Sequence, residues 1–390
     1  MSEILLNFGK MPVFMGCVET NLNVKEDIFC EMNWGIKDDS TFGVIDPPDP
    51  SLIYMGQHNE LIGGTWSKHL IDFSKFVSNF KLGEVLEIGG GHCQLVSKVA
   101  TNNDIGIFAC WDIIEPNPLN DENLFGQLIL DFFPSPKLNN KKFDTIIHSH
   151  VLEHVPSPIN FLKDMHFCLK ESGQIIMSFP NMEVMAKNID LNLLMFEHLT
   201  YLTLKEVKHM AAFTGFEVSE IEYFHEHSIF VRLIKSELKK NIQDIFSSTN
   251  TEKEIQSLVQ SYSNKISNKV DKINKFMNID GYTFYLFGAH IFTQYLTALG
   301  MNTNNIAGIL DNSTEKQGKR LYGSGLNVFS PNVLKGGSKI ALILPMGNYE
   351  YEVIEQLKDL EIADLLIYSL RNDAIINLST NAKFNLKNLI

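Results

Sequence analysis

Glu84-Val-Leu-Glu-Ile-Gly-Gly-Gly-His-Cys93 decides how this chain is read. Val85, Leu86 and Ile88 make a short apolar run of the kind buried in a parallel sheet. Gly89, Gly90 and Gly91 follow at once, and 94–100 then carries a helical pattern. A strand, a glycine turn and a helix bring bare backbone to the carboxyl end of a sheet, where doubly wound proteins bind ligands. A phosphate-cradling loop would need Lys and Ser or Thr after the glycines, and His92-Cys93 supplies neither. A dinucleotide turn would need a third glycine where Gln94 stands. A nucleoside held by backbone and an acid remains, with Glu87 as the acid. An ordinary tight strand–helix junction would look the same at this level.

The totals narrow the field. A chain of 390 residues has room for two or three cored domains. Its hydrophobic fraction of 44% and charged fraction of 20% are globular values. A formal charge of −13 argues against broad contact with nucleic acid or an anionic membrane. No apolar run approaches the roughly 20 residues a bilayer requires, and no basic-then-apolar leader opens the sequence. A cytoplasmic protein is expected. Cys17, Cys30, Cys93, Cys110 and Cys168 show neither metal-pair spacing nor a disulfide framework.

Four segments follow in order. Residues 1–75 read as a small irregular front segment, with a rigid Asp46-Pro-Pro-Asp-Pro50 turn and a polar, glycine-rich stretch up to Trp66 and His69. Residues 76–235 alternate strand and helix, the pattern of a parallel sheet covered on both faces. There 106–114 is a strand ending near Glu115, an acid placed to grip a ribose diol. Asp131 and Phe132 read either as partners for an adenine amino group and ring or as a plain loop acid beside aromatics. Phe143–His150 is the fourth strand, and Leu152-Glu-His154 follows it. A helix from Pro158 to Lys170, a turn at 171–173 and a strand over 174–179 complete the unit. Glu197-His198 lies in a loop just before a Thr203–Glu206 capping box, where a histidine suits a general base. Residues 236–277 read as one or two amphipathic connecting helices, with a break near 247–251. Residues 278–390 begin a second α/β unit, whose first strand ends in Gly288-Ala-His290.

Glu87, Gly89 and Gly91, an acid at Glu115, the Phe143-Asp144 strand, Leu152-Glu-His154 and a strand ending in Pro180-Asn181 together resemble the class I S-adenosylmethionine-dependent methyltransferases. Cys93 replaces the third glycine of that motif. The resemblance implies an α/β, Rossmann-like central domain between a small irregular N-terminal domain and a second Rossmann-like C-terminal domain. It also implies an enzyme using S-adenosylmethionine, with Glu87, Gly89, Gly91, Glu115, Asp131, Phe132 and His150 at the donor.

The whole chain is similar to the three-domain sugar C-methyltransferases that act on nucleotide-linked ketosugars. Asp49-Pro-Ser-Leu-Ile-Tyr54 with His69, Glu197-His-Leu-Thr-Tyr201, and Gly288-Ala with Leu310-Asp-Asn carry this likeness. That family uses the histidine of Glu-His as base, which implies His198 here, assisted by Glu197 and with His154 as alternative or partner. Tyr54, His69, Tyr201, Gly288 and His290 would face the substrate. Two departures matter. The family's four zinc-binding cysteines are reduced to Cys17 and Cys30, so no metal is expected. Its Tyr-His pair ahead of Glu-His is Met195-Phe196. The expected function is methyl transfer to a sugar in carbohydrate biosynthesis. O- or N-methylation of another small metabolite, a non-catalytic nucleotide-binding module and a homo-oligomer all remain open.

Overall fold

The computed structural model describes residues 2–39, 41–53, 64–90, 95, 98–99, 107–112, 127–130, 133–134, 138, 140–188, 190–236, 249–345, 350–380 and 382–384. The front segment carries more regular structure than its sequence suggests. Strands β1 (Glu3–Pro12), β3 (Phe29–Ile36) and β4 (Phe42–Ile45) form an antiparallel sheet, and β2 (Cys17–Val18) lies outside it. Met11, Met32, Trp34 and Val44 are buried there.

The central sheet contains β5 (Glu84–Ile88), β6 (Ile107–Asp112), β7 (Gln127–Leu130), β8 (Phe143–Ser149), β9 (Leu169–Pro180), β10 (Phe216–Phe224) and β11 (Ser228–Lys235). Its order is β10-β11-β9-β8-β5-β6-β7. Strands β5 to β9 are parallel, and β11 runs antiparallel to β9 and β10. The chain therefore winds outward from β5 through β6 and β7, then crosses back to start β8 on the other side. Crevices at such a reversal are where open α/β sheets bind ligands. Helix Gly64–Ser78 covers one face, burying Leu70, Phe73, Phe76 and Val77 against Val85, Ile147, Ile176 and Phe230.

Strand β9 begins at Leu169 and absorbs the expected turn at 171–173. Pairing with β8 jumps from Phe143–Leu169 to Thr145–Gln174, so the extra residues form an irregularity within the strand. Helix Leu204–Phe213 starts after Thr203 as expected, but the cap differs. The Thr203 hydroxyl donates to the Glu206 carboxylate rather than accepting from a backbone amide.

Helix Thr249–Phe276 leads to the second α/β unit. That unit holds β12 (Thr283–Phe287), β13 (Ile306–Leu310), β15 (Val328–Phe329), β16 (Ile340–Leu344), β17 (Leu365–Ser369), β18 (Ala374–Asn377) and β19 (Ala382–Phe384), while β14 (Arg320–Leu321) pairs with β2 of the front segment. One apolar cluster runs from Trp34 and Phe42 through Phe179 and Tyr262 to Leu286 and Tyr368, so it joins the front sheet, the central sheet and the C-terminal sheet. Among the described residues no helix is long and apolar enough to cross a membrane.

A buried ion pair fastens β14 to the front segment. Arg320 Nη1 and Nη2 donate to the two Asp27 oxygens at 2.7 and 2.8 Å, with side chains only 3% and 4% exposed. The fork geometry matches the carboxylate. Arg320→Ala strands the Asp27 carboxylate in the interior and should cost about 3–5 kcal/mol in chemical denaturation. Arg320→Lys, which keeps the charge without the fork, should recover only part of that. An unchanged unfolding midpoint in Arg320→Ala would contradict the tie.

Candidate active site

The glycine turn is open on one side and walled on the other. Gly89 is exposed and has φ of +69°, a conformation that disfavours side chains. A Cβ added there would stand 2.5 Å from Val151 Cγ2. Ile88 pairs with His148 across the parallel β5–β8 ladder, so the turn and residues 149–154 emerge side by side. Glu87 is buried one residue before the strand end. Bare backbone at the carboxyl edge of the sheet, with an acid behind it, fits a nucleoside-type ligand. Tyr54, Gly91, Glu115, Asp131 and Phe132 lie outside the described residues.

Beyond β8 the chain gathers titratable groups. His150 takes φ of +54°, rare for a residue with a Cβ, and aims its ring inward. Its Nδ1 lies 3.1 Å from Glu153 Oε1, and its Nε2 lies 2.9 Å from Ser228 Oγ. Glu153 Oε1 is also 3.8 Å from His154 Nε2. His154 Nδ1 donates to the Glu197 carbonyl at 2.7 Å, which leaves Nε2 as the acceptor of a neutral ring. The His198 ring sits 5.2 Å from that of His154. Burial raises the Glu153 carboxyl to about 7 against the partial offset of His154, and raises Glu197 to about 8. Burial also drives His150 well below its ordinary value, helped by His227, His154 and His148.

The loop carrying His198 is stapled on two sides. Thr200 N donates to the Glu153 carbonyl at 3.1 Å, and Tyr201 N to the Phe42 carbonyl at 2.8 Å. On β4, Val44 N donates to the Leu199 carbonyl at 3.1 Å. Lys37 adds bonds from Nζ to the Pro156 carbonyl at 2.9 Å and to Thr200 Oγ1 at 2.8 Å. Burial lowers this ammonium to about 8, which matches its role as a tie inside the structure. The front sheet is thus what holds the Glu197-His198 loop over the end of β8.

Other sequence candidates fall elsewhere. His69 is fully buried behind His150, ring to ring at 5.1 Å, and is pushed down to about 2 by burial and then by His150 and His227. Tyr201 is a core residue, packed edge-on against Trp34 and Phe42, and not a surface that meets substrate. Gly288 and His290 follow β12 of the second seven-stranded sheet, in the turn before helix Ile291–Ala298. His290 caps helix Ile291–Ala298 by accepting from Phe292 N at 3.2 Å, and burial lowers it to about 4. Asp311 there accepts from Ala289 N at 2.8 Å. Cys17 is half-buried, and burial raises its thiol to about 11, which keeps it from being a ready thiolate ligand.

Sequence reasoning passed over Glu153, His227 and Lys37. The i, i+3 spacing of His150 and Glu153 was the available signal for Glu153. His227 sits in the short connection between β10 and β11, which return to the same sheet edge. Nothing local marks Lys37.

Residues 62–221 match the family described as a methyltransferase domain. No curated protein matches the chain. Among solved structures, the plantazolicin methyltransferase BpumL in complex with SAH is 14% identical over 43% of this chain and 84% of its own, with a TM-score of 0.37. The pyocyanin biosynthetic protein PhzM is 13% identical over 44% and 56%, at 0.36. An O-methyltransferase family protein from Burkholderia thailandensis is 10% identical over 44% and 57%, at 0.35. Likenesses this distant carry no argument about chemistry. The match over residues 62–221 identifies the central unit as a methyltransferase domain, an enzyme unit that uses S-adenosylmethionine.

A methyl group on residue 43 would stand 2.1 Å from the Leu199 carbonyl oxygen. Gly43→Ala should therefore displace the His198 loop and destabilise the protein by about 1–3 kcal/mol, read in thermal unfolding. A variant that melts like the parent would show that β4 does not position the loop.

Proposed function

We propose that this S-adenosylmethionine-dependent methyltransferase methylates a nucleotide-linked sugar, with His198 as general base and His154 beside it. One observation carries the base assignment. The β5–β8 pairing sets Gly89 next to the segment that bears Glu153 and His154, and His198 packs onto that segment. The sugar class rests on the resemblance of Glu197-His-Leu-Thr-Tyr201 and its flanking stretches to the ketosugar C-methyltransferases. Gly89, Gly91 and Glu87 hold the donor, with His150 nearby and with Glu115, Asp131 and Phe132 completing its site. When bound, the donor supplies an electrophilic sulfonium methyl. The protein's own task is to orient the acceptor and remove a proton from its hydroxyl or enolisable carbon. Neutral imidazole does that, and the His154 tautomer fixed by the Glu197 carbonyl leaves its Nε2 free of a proton in the neutral ring. The units 1–75, 76–235, 236–277 and 278–390 divide the work, with the C-terminal unit on the substrate side through Gly288 and His290. The reading is of a cytoplasmic enzyme without a resident metal.

Purified protein with labelled donor should methylate nucleoside-diphosphate ketosugars in a panel that also holds simple sugars and phenols. Intact donor binding without turnover on any member would favour a non-catalytic module. His198→Ala should lower kcat by about 10²–10⁴ while donor affinity stays near that of the parent. In the parent the rate should rise with pH, since only the neutral ring accepts a proton. A folded His198→Ala enzyme with parental turnover would move the role to His154. Gly89→Ala adds a side chain at positive φ against Val151 and should weaken donor binding by calorimetry at least about tenfold, as expected of roughly 1–2 kcal/mol of strain plus lost space. Parental affinity would remove Gly89 from the donor site.

A further inference from the structure

Glu153 is fully buried, yet among the described residues neither of its carboxylate oxygens has a hydrogen-bond partner. A buried carboxylate in that state is costly and calls for a partner. Its ion-pair contacts there are with imidazoles alone: Oε1 lies 3.1 Å from His150 Nδ1 and 3.8 Å from His154 Nε2, and neither contact closes a hydrogen bond. A ring nitrogen of His198 joins the set. One donor atom from each of Glu153, His154 and His198 lies within 4.8 Å of the other two. Two imidazoles and a carboxylate are a ligand set that zinc takes, with a fourth position left to water. Such an ion supplies the carboxylate with the positive partner it lacks.

We propose that Glu153, His154 and His198 form a switch site for an exchangeable zinc-class ion, which stops methyl transfer by occupying the imidazole lone pairs that would take the acceptor's proton. The inference rests on the histidine-base reading. It adds a reversible inhibitor to an enzyme that works without a resident metal. A ring nitrogen whose lone pair is given to an ion no longer accepts a proton. Coordination itself breaks no carbon bond and moves no electron between redox states. Any proton held by a ligand is released to water as the ion binds.

Three features suit the cluster to an ion. First, its ligands stand on two segments tied to each other. Glu153 and His154 belong to the short helical turn Leu152–His154, and Thr200 N, two residues past His198, donates to the Glu153 carbonyl at 3.1 Å. Second, His154 Nδ1 donates to the Glu197 carbonyl at 2.7 Å, so Nε2 presents its lone pair. Metal-bound histidines make that same outer hydrogen bond, which fixes the tautomer. Third, there is a way in. The His154 side chain is 24% exposed while that of Glu153 is 0% exposed, so an ion reaches the carboxylate past His154. A tetrahedral ion with bonds of about 2.1 Å holds its donors roughly 3.4 Å apart. The His154–Glu153 pair, at 3.8 Å, comes to that by a small side-chain rotation. Magnesium prefers octahedral oxygen ligands and fits this nitrogen-rich set poorly.

The test adds zinc chloride to the chelator-treated full chain. Calorimetry should show one-to-one binding, and Tm should rise with zinc concentration. Glu153→Gln and His154→Ala should each weaken that binding at least about tenfold, since even the outer partners of metal ligands are worth that much. His154→Ala, at a partly exposed position, keeps the comparison open should Glu153→Gln not fold. Magnesium chloride should neither bind nor shift Tm. In methyl transfer from S-adenosylmethionine to whichever ketosugar of the panel above turns over, zinc should stop the parent and a chelator should restore it. The zinc concentration that halves the rate should rise at least about tenfold in Glu153→Gln, measured against that variant's own metal-free rate. Zinc binding that both variants retain in full would overturn the site and leave the base assignment standing. Zinc bound at this site with parental turnover unchanged or raised would overturn the switch. Parental turnover in a folded His198→Ala would instead remove the base, and the switch with it, whatever the calorimetry shows.

Discussion

The parallel pairing of β5 with β8 is the constraint on which the site depends. The two strands follow each other in space but not in sequence, because β6 and β7 intervene. Their adjacent carboxyl ends therefore carry two stretches of chain with different chemistry: a bare glycine turn, and a segment crowded with imidazoles. Backbone hydrogen bonds set the register at Ile88 and His148, and a one-residue slip would turn every side chain of β8 to the other face. Val151 against Gly89 shows how tightly the two ends are packed.

Around that pairing the protein buries more ionisable side chains than stability alone would favour. Glu153, His148, His150, His69 and Glu197 all lie in the interior, where isolated charge is costly and groups drift toward neutrality. The shifts follow that rule, carboxyls upward and imidazoles downward. A neutral imidazole is a proton acceptor, and a carboxyl that titrates near 7 can both take and give a proton. The front sheet contributes a different constraint. Its hydrogen bonds to the Leu199 and Tyr201 backbone, and the Lys37 ammonium, keep the His198 loop from moving away from Glu153.

Much of this was legible in the sequence, and the reasons are specific. Val85–Ile88 followed by glycines announced the strand and turn, because few other sequences place bare backbone at a strand end. Four of the five parallel strands were readable from their apolar runs, β7 being noticed only for the acid that follows it, and the helix ending near Phe276 was readable from its 3.6-residue period. The front sheet was not, since β1 pairs with β3 across an intervening segment that holds β2, and its glycines disguised the strands as loop. His198 was legible as a loop histidine next to an acid. The carboxylate found beside the imidazoles is Glu153, which the linear order had hidden inside Leu152-Glu-His154. Tyr201 looked like a site residue because it ends the same motif, but alternation along the loop turns its ring into the Trp34–Phe42 core. His227 belongs to the cluster only because β10 and β11 fold back beside β9, a contact no local pattern encodes.

A crystal structure of the protein with S-adenosylhomocysteine tests the central claim most directly. Methyl transfer needs donor and acceptor roughly 3–3.5 Å apart, and proton removal needs a further hydrogen bond of about 3 Å. The account predicts that the sulfur lies between the Gly89 turn and the His154–His198 pair, within about 8 Å of one of their ring nitrogens. A sulfur that faces away from both imidazoles, or a nucleoside bound elsewhere than the carboxyl ends of β5 and β8, would contradict it.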